Sequence, residues 1–528
     1  MIFNSRNIIG FEESEGTGKT IQGVNPVASS VINEKFYIAT KEDVDQALQK
    51  ANNAFHEYKL TSDESRAGFL EAIADGIEAL GEVLVNKASE ETGLAEDRII
   101  AERGRTTGQL RMFAKYIQEG SYVEASIDTA IPDRAPVPKP DLRKMNVPLG
   151  PVVVFGASNF PLAYSVGGGD TAAALAAGCP IVVKAHPGHP GTSAMVGAAI
   201  VKAAKENNMP DGVFSLLYDS GFIIGKALVE HSHTRAVGFT GSVAGGRALF
   251  DIAAKRDFPI PVFAEMGSIN PSILLPEALR LRASSIADYY AGSITVGVGQ
   301  FCTNPGLILG MKGNGLNNFI EKLSTKIAEA QPATMLHDGI STSYRQKTKE
   351  MSRQLGVEFI SQADENVKEG EGWPILAKAM AKEFIANPNL HEEVFGPFSL
   401  IIECENGEEL KESVSALQGQ LTTTLHGEDK DFSDYVDIVT ELREKAGRII
   451  FNGVPTGVEV CPSMTHGGPY PATTDSRFTA VGVNSIKRFM RPVTFQNAPQ
   501  EILPEPLKDL NPEKIWRLID GKLTKENI

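Results

Sequence analysis

From residue 150 onwards, short apolar runs alternate with alanine-rich segments of helical length, and this alternation constrains the fold more than any other feature. The first series of runs occupies residues 152–155, 181–184, 214–217, 236–239 and 261–264. The segments 170–178 and 191–206 between them are long enough for helices. This rhythm predicts an open parallel sheet with helices on both faces. Because such sheets bind ligands beyond the carboxyl ends of their strands, the residues after each run are candidate site residues.

A second alternating series follows Pro271. Its apolar runs occupy residues 398–402, 422–425 and 449–451, and its helical patterns occupy residues 315–329, 407–416 and 432–446. The 528 residues are too many for one core, since single domains usually have about 100–200 residues. The sequence therefore predicts an α/β protein with two open, doubly wound sheet domains.

Residues 41–119 are dominated by helical periodicity. A helix is predicted over residues 41–57, with Thr40 as its cap and Asp43 at the third position. Further helical pattern covers residues 64–119, with interruptions near Gly93 and Gly104.

Two segments depart from these patterns. Residues 127–148 contain five prolines and no helical period, which is typical of a linker, an extended edge or an arm. The charged segment 500–528 is predicted to pack as a peripheral helix or to fray.

Composition and charge narrow the class of partner. A net charge of −15 argues against nucleic acid, which selects basic surfaces. The sequence has no run of 18 apolar residues, so we expect no membrane-spanning helix, and the N-terminus does not have the pattern of a signal peptide. Cys179, Cys302, Cys404 and Cys461 form no CxxC pair and have no histidine at zinc-finger spacing. We therefore expect no metal site and a reducing cytoplasmic location.

Three loops that follow predicted strands carry chemically useful groups. Asn159, in GASNFPL, could donate its amide to an oxyanion or could simply form the turn before Pro161. The segment TGSVAGG (residues 240–246) could bring helix amides to a pyrophosphate, although it is not the GxGxxG fingerprint. Glu265, in FAEMG, could be a general base or a solvated strand end.

Two further segments add a thiol and a carboxylate. Glycines surround Cys302 in GVGQFCTN, which favours a thiol presented in a cleft, although most free cysteines are small buried apolar residues. The segment HEEVFGP (residues 391–397) is, from its residues alone, a capped turn before a strand.

Five of these segments occur together, as SNFPL, FTGS, AEMG, GQFC and EEVFGP. In this order and at these separations they resemble the aldehyde dehydrogenase superfamily, over residues from about 20 to about 495. The segments VVKAHPGHPGTS, ERGRTTGQLRMFA and HGGPYPATTDSRFTAVG resemble one branch in particular. That branch contains α-ketoglutarate semialdehyde (2,5-dioxovalerate) dehydrogenases and some bacterial long-chain aldehyde dehydrogenases.

The resemblance implies oxidation of an aldehyde to a carboxylate through a thiohemiacetal and a thioester on Cys302. Asn159 and the backbone amide of Cys302 would hold the oxyanion, and Glu265 would activate the hydrolytic water. The expected substrate is 2,5-dioxovalerate, and the alternative is a medium- or long-chain fatty aldehyde.

The resemblance also implies a nicotinamide dinucleotide, NADP or NAD. Lys184 would contact the adenosine ribose, Glu393 the nicotinamide ribose, and Phe395 would lie beside the cofactor. Gly241, Ser242 and Gly246 would face the pyrophosphate. Many NAD-specific relatives carry a glutamate where this chain has Pro187, so a 2′-phosphate is acceptable and NADP is favoured slightly.

Arg105 is the candidate for substrate recognition. On a helix, Arg105 and Gln109 share a face, and an arginine suits the distal carboxylate of a short oxo acid. Phe160 is a further candidate lining residue. The alternative is that Arg105 is an ordinary solvated helix arginine.

The family architecture implies four parts. These are a dinucleotide-binding domain (1–126 and 149–266), a catalytic domain (267–475), an oligomerisation arm (127–148 and 476–497) and a C-terminal extension (498–528). A homodimer or homotetramer is expected. Two rival functions are a coenzyme-A-acylating dehydrogenase and a non-catalytic binding protein on the same fold. Glu265 argues against the first, and the full set Cys302, Glu265 and Asn159 argues against the second.

Overall fold

The computed structural model describes residues 5–362 and 367–528. In the first half of the chain the strands are β1 (Asn7–Ile9), β2 (Glu12–Ser14), β3 (Thr20–Asn25), β4 (Ser30–Tyr37), β5 (Ser126–Asp128), β6 (Leu142–Pro148), β7 (Val152–Phe155), β8 (Ile181–Lys184), β9 (Phe214–Leu217), β10 (Ala236–Thr240) and β11 (Val262–Glu265). The helices are α1 (Lys41–Tyr58), α2 (Asp63–Ala79), α3 (Gly81–Thr92), α4 (Glu96–Glu119), α5 (Gly169–Ala177), α6 (Pro190–Glu206), α7 (Ile223–Glu230) and α8 (Val243–Ala254).

The first sheet has the strand order β11-β10-β7-β8-β9-β1-β2. The strands from β11 to β9 are parallel, and β1 joins β9 in the antiparallel sense. Successive residues of β7 face different cores, as expected for a sheet covered on both sides. Val152 and Val154 pack in a cluster with α2, α4, α5 and α6, whereas Val153 packs in a cluster with α1, α7 and α8.

In the second half of the chain the strands are β12 (Ser272–Leu274), β13 (Leu307–Met311), β14 (Ala333–Thr334), β15 (Glu358–Gln362), β16 (Glu371–Gly372), β17 (Ile375–Met380), β18 (Phe398–Cys404), β19 (Gln420–His426), β20 (Ala446–Phe451), β21 (Met490–Gln496), β22 (Arg517–Ile519) and β23 (Lys522–Thr524). The helices are α9 (Pro276–Thr295), α10 (Asn314–Glu329), α11 (Asp338–Met351), α12 (Ala381–Ala386), α13 (Gly407–Ser415), α14 (Asp429–Asp434) and α15 (Val436–Lys445).

The second sheet has the order β15-β17-β18-β13-β12-β19-β20, and only β15 is antiparallel to its neighbour. Two open α/β sheets in one chain confirm the predicted fold class. The predicted helix over residues 432–446 is divided in two at Tyr435.

A third sheet has the order β21-β6-β5-β22-β23. Here the proline-rich stretch supplies two strand segments, and β21 pairs with β6 in the antiparallel sense. The prediction of a helix or a frayed end for residues 500–528 is wrong, since β22 pairs with β5. Arg517 explains why this segment does not fray: its buried guanidinium donates to the backbone carbonyls of Lys508, Asp509 and Glu526.

The N-terminal helices follow the sequence with one exception. Thr40 and Asp43 form the predicted capping box of α1. Gly93 ends α3 in a left-handed conformation, as a glycine does readily. The predicted interruption at Gly104 is wrong, because Gly104 lies inside the continuous helix α4. A single glycine weakens a helix by only about 1 kcal/mol.

Candidate active site

The candidate site lies where the carboxyl ends of the first sheet meet a loop from the second half of the chain. Glu265 is the last residue of β11 and is in register with Thr240 of β10. Cys302 follows a short 3-10 turn, Val296–Gly299, after α9. Val298 has a φ of 57°, which is strained for a β-branched residue. Gly299 allows the turn to pack against Gly396, because an added Cβ would lie 2.3 Å from its carbonyl carbon.

Three side chains form what we call the Cys302 cluster: Cys302, His466 and Glu265. The Sγ of Cys302 lies 3.5 Å from Nε2 of His466. The same nitrogen lies 3.0 Å from Oε1 of Glu265. His466 and Glu265 are almost completely buried, whereas Cys302 is partly exposed. One imidazole nitrogen therefore stands between a thiol and a carboxylate.

The resting state of this cluster is governed by burial. Burial and the Glu265 carboxylate raise the pKa of the Cys302 thiol well above its usual value, and Arg105 opposes that shift. Nδ1 of His466 is buried and has no partner among the described residues. This favours the proton on Nε2, facing Glu265, because an unpaired buried acceptor is tolerated better than an unpaired N–H. The thiol is therefore protonated at neutral pH and needs a base.

The sequence analysis gave His466 no role, although the residue lies within a motif that it used. A histidine followed by Gly467 and Gly468 was the available signal. A Cβ at Gly467 would lie 2.7 Å from the Phe478 carbonyl, and one at Gly468 would lie 2.0 Å from the Gln420 carbonyl. The two glycines thus let the backbone pack closely enough to bury the imidazole.

Asn159 lies beside the Cys302 loop. Its Nδ2 donates to the backbone carbonyl of Gln300 at 3.1 Å, two residues before the thiol. The carbonyl of Cys302 itself accepts a hydrogen bond from Nδ2 of Asn270 at 2.9 Å. Asn270, a fully buried residue with a φ of 46°, was also missed by the sequence analysis. The loop is therefore fixed by side-chain amides on both sides.

Phe160 helps to hold Arg98 next to Asn159. The Arg98 guanidinium lies 4.6 Å from the Phe160 ring centroid and 4.9 Å from that of Phe301, which is within cation–π range. It donates to the backbone carbonyl of Asn159 at 3.0 Å and forms an ion pair with Glu102 at 3.6 Å. Arg98 therefore fixes the backbone that carries the candidate oxyanion donor.

The second feature is the glycine loop, residues 240–246. Ser242 caps α8 by accepting a hydrogen bond from the Gly245 amide at 3.2 Å, and this helix start is exposed. A Cβ at Gly241 would lie 2.7 Å from the Phe239 ring, and one at Gly246 would lie 2.7 Å from Met266. The exposed amides and the two tight glycines form a cradle that suits a phosphate group.

Lys184 and Glu393 are two further cofactor candidates. Burial lowers the pKa of Lys184, and Asp219 opposes that shift. Burial raises the pKa of Glu393 to about 7. Glu393 accepts a hydrogen bond from the Ser268 amide at 3.4 Å. A cleft lies beside it, and its lining includes Gly299, Phe301, Glu393 and Phe395.

Arg105 and Gln109 do not face the same surroundings. Arg105 donates to the phenol oxygen of Tyr164 at 3.2 Å and acts electrostatically on Cys302. Gln109 is buried against α5, where a Cβ at Gly169 would lie 2.9 Å from its Nε2. The structure thus brings Arg105, but not Gln109, next to the Cys302 cluster.

Similarity to known proteins identifies the family. The sequence profile of the Aldehyde dehydrogenase family matches residues 11–470. Alpha-ketoglutaric semialdehyde dehydrogenase 2 of Azospirillum brasilense is 48% identical, over 98% of this chain and 98% of its own. Alpha-ketoglutaric semialdehyde dehydrogenase of Acinetobacter baylyi is 44% identical, over 99% of each chain.

Solved structures show the same fold. A variant of betaine aldehyde dehydrogenase from Staphylococcus aureus, in complex with NAD+, is 20% identical and superposes with a TM-score of 0.79, covering 95% of this chain and 99% of its own. An aldehyde dehydrogenase from Brucella melitensis biovar abortus is 21% identical and superposes with a TM-score of 0.78, covering 94% and 98%.

The chain belongs to the aldehyde dehydrogenase family. It is an oxidoreductase that acts on aldehydes and uses a nicotinamide dinucleotide. Among the described residues, no helix is both long enough and apolar enough to cross a membrane.

Proposed function

We propose that this enzyme oxidises 2,5-dioxovalerate to 2-oxoglutarate through a thiohemiacetal and then a thioester on Cys302. The observation that carries the chemistry is the Cys302 cluster, in which one imidazole nitrogen lies 3.5 Å from the thiol and 3.0 Å from the Glu265 carboxylate. The choice of substrate is supported by the names of the two relatives that are 48% and 44% identical.

The thiol loses its proton to the cluster before it attacks the aldehyde carbon. The base is the Glu265 carboxylate, which already acts on the thiol and accepts a hydrogen bond from Nε2–H of His466 at 3.0 Å. The oxyanion that forms on attack is held by the Asn159 side-chain amide and the backbone amide of Cys302. When bound, the nicotinamide accepts the hydride that leaves the former aldehyde carbon.

Glu265 then activates water against the thioester. Its Oε2 is buried and has no partner among the described residues, so it is available to accept a proton. A pocket whose lining includes His466 and Thr473 adjoins Glu265. Water attacks the thioester carbon, its proton passes to the cluster, and the Cys302 thiolate leaves.

The glycine loop fits the pyrophosphate of the cofactor, because it opens the exposed start of α8, where a helix presents backbone amides to a phosphate. Lys184 would hold the adenosine ribose, and Glu393 with Phe395 would hold the nicotinamide end. Pro187 offers no carboxylate to repel a 2′-phosphate. Both cofactors are therefore acceptable, with a slight preference for NADP.

We assign the domain roles by the three largest sheets. Residues 1–126 and 149–266 would bind the dinucleotide, and residues 267–475 would carry the catalytic loop. The third sheet, with residues 127–148 and 476–497, would join subunits into a dimer or tetramer, with the extension 498–528 completing it. The four unpaired cysteines suit a reducing cytoplasm.

Steady-state kinetics with 2,5-dioxovalerate, succinate semialdehyde and octanal test the proposal. The expected result is the highest kcat/KM for 2,5-dioxovalerate, with no turnover in Cys302→Ala and unchanged cofactor binding in that variant. A preference for octanal would replace the substrate by a fatty aldehyde. Turnover that requires coenzyme A would make the enzyme an acylating dehydrogenase.

A further inference from the structure

Two arginines from distant parts of the chain hold neighbouring carbonyls of one loop. Arg105, on α4, donates from Nη1 to the Val458 carbonyl at 3.1 Å. Arg448, on β20, donates from Nη1 to the Gly457 carbonyl at 2.9 Å and from Nη2 to the Pro455 carbonyl at 2.7 Å. Because Gly457 and Val458 are consecutive, the loop brings the two guanidinium groups together.

Both guanidinium groups lie close enough to the Cys302 thiol to act on it electrostatically. The charge of Arg448 interacts with Cys302 and with the Tyr164 phenol. Arg105 acts on the same thiol and donates to the same phenol oxygen at 3.2 Å. The two arginines therefore flank one side of the cleft in which the thiol lies.

A third arginine near the thiol shows what is unusual about this pair. Arg98 has a carboxylate partner, Glu102, at 3.6 Å. Neither Arg105 nor Arg448 forms an ion pair with any residue in the described parts of the chain. Their hydrogen-bond partners are neutral oxygens, three backbone carbonyls and one phenol. The carboxylate of Glu102, which is paired with Arg98, acts on Arg105 only without a direct ion pair, and no ion-paired carboxylate among the described residues neutralises either guanidinium group.

Burying these two guanidinium groups without an ion-paired carboxylate is unfavourable in free energy. Burial lowers the pKa of Arg448, which is the direction expected when a charged group is taken out of water. The Nε atoms of both arginines are buried and have no hydrogen-bond partner among the described residues. Partly buried cations with unused donors are unfavourable unless an anion enters between them. The arrangement is thus preorganised for an anionic ligand.

We propose that Arg448 and Arg105 together form a subsite for the carboxylate end of a 2-oxo acid, with Arg448 as a specificity-determining residue. The inference rests on the proposed oxidation of 2,5-dioxovalerate. A guanidinium has five N–H donors, and each of these groups uses only part of them within the protein. The remaining donors suit a carboxylate and the ketone oxygen beside it. Neither arginine takes part in bond making.

The test compares Arg448→Leu with the unaltered enzyme on 2,5-dioxovalerate and on pentanal, a neutral aldehyde with the same number of carbons. We expect KM for 2,5-dioxovalerate to rise roughly 10- to 100-fold, the usual loss for a charge-assisted hydrogen bond, with pentanal changed less than about threefold. Arg448→Lys should recover part of the loss, because it keeps the charge but not the planar fork. Arg443→Leu is the control, since Arg443 is an exposed arginine on α15 shortly before the same strand.

Product binding supplies a second measurement that does not need turnover. In Arg448→Leu, 2-oxoglutarate should inhibit pentanal oxidation at least about tenfold more weakly. Because both arginines would hold one ligand, Arg105→Leu combined with Arg448→Leu should cost less than the product of the two single effects.

Three outcomes would overturn the subsite. Equal losses on both aldehydes in Arg448→Leu would mean that Arg448 only holds the 455–457 loop. An unchanged KM for 2,5-dioxovalerate would place the carboxylate elsewhere, and so would full multiplicativity of the two single effects. Failure of the substrate proposal has a different signature: the unaltered enzyme itself would not prefer 2,5-dioxovalerate to pentanal.

Discussion

The Cys302 cluster and the glycine loop lie at the same edge of the first sheet, but they are built in different ways. The glycine loop is local: its seven residues are consecutive, the start of its helix is exposed, and side chains at Gly241 and Gly246 would collide with Phe239 and Met266. The Cys302 cluster is assembled from side chains far apart in sequence. His466 is 164 residues from Cys302 and 201 from Glu265.

This difference separates two kinds of dependence. The glycine loop binds through its backbone, so neighbouring side chains can change the preference for NAD or NADP without changing the chemical steps at Cys302. The cluster works through single buried atoms, so removing one atom changes the chemical steps. Substitutions in the cluster should therefore change the rates of acylation and deacylation, and substitutions on the cofactor side should change cofactor choice.

The largest expected effect is that of Glu265→Gln. Deacylation should slow by about 10²–10⁴-fold, the usual contribution of a positioned proton acceptor, while acylation falls less. Stopped-flow absorbance should then show a burst of reduced cofactor followed by slow turnover. Cofactor binding should not change. An unaltered steady-state rate without a burst would remove Glu265 from the mechanism.

His466→Asn should have the next largest effect, and it should act on acylation. Burial and Glu265 hold the pKa of the Cys302 thiol well above its usual value, and this variant loses the Nε2–H donor that holds the Glu265 carboxylate in place as the base. The burst rate at neutral pH should fall on the order of tenfold to a hundredfold, and its rise with pH should move to higher pH. Stopped-flow measurements across pH check this.

The matched control is His56→Asn, since His56 is exposed on α1. It should leave both the burst rate and its pH profile unchanged. If His466→Asn gave the profile of the unaltered enzyme, Glu265 would act as the base without support from His466, and the 3.0 Å hydrogen bond between them would have no part in acylation.

The same difference decides what could be predicted from the sequence. Strands β7 to β11 were predictable because each is a short apolar run that is followed by a glycine within four residues. Cys302 and Glu265 were predictable because each stands in a motif of the family. His466 was not, since no local sequence pattern indicates that a histidine at this position contacts a thiol 164 residues away. Arg448 was missed for a different reason, because its partners are backbone carbonyls and these leave no residue pattern in the sequence.

Two errors in the predicted fold have the same physical origin. Gly104 was expected to interrupt a helix on local propensity, but the packing of α4 against α2 and α5 outweighs a single glycine. The C-terminal segment has charged residues without a strand pattern. It is ordered because Arg517 binds three carbonyls and β22 adds to β5. Tertiary contacts decide both cases.

The smallest expected effect is on cofactor choice, from Pro187→Glu. Pro187 follows Lys184 by three residues and is next to His186, whose ring centroid lies 5.8 Å from that of His337. Burial lowers the pKa of both histidines, so at neutral pH neither offers a positive charge to offset a new carboxylate. The added charge should repel a 2′-phosphate and leave a 2′-hydroxyl with a hydrogen-bond acceptor. We expect kcat/KM for NADP to fall about five- to tenfold relative to NAD, the size of a Coulomb term of about 1 kcal/mol between charges near the surface.

Pro512→Glu, which adds the same charge at an exposed site in the C-terminal segment, is the control and should not change the ratio of the two kcat/KM values. A ratio that stays constant in Pro187→Glu as well would mean that the ribose does not lie beside Pro187, whereas loss of activity with both cofactors alike would indicate damage to the loop after β8 instead of repulsion.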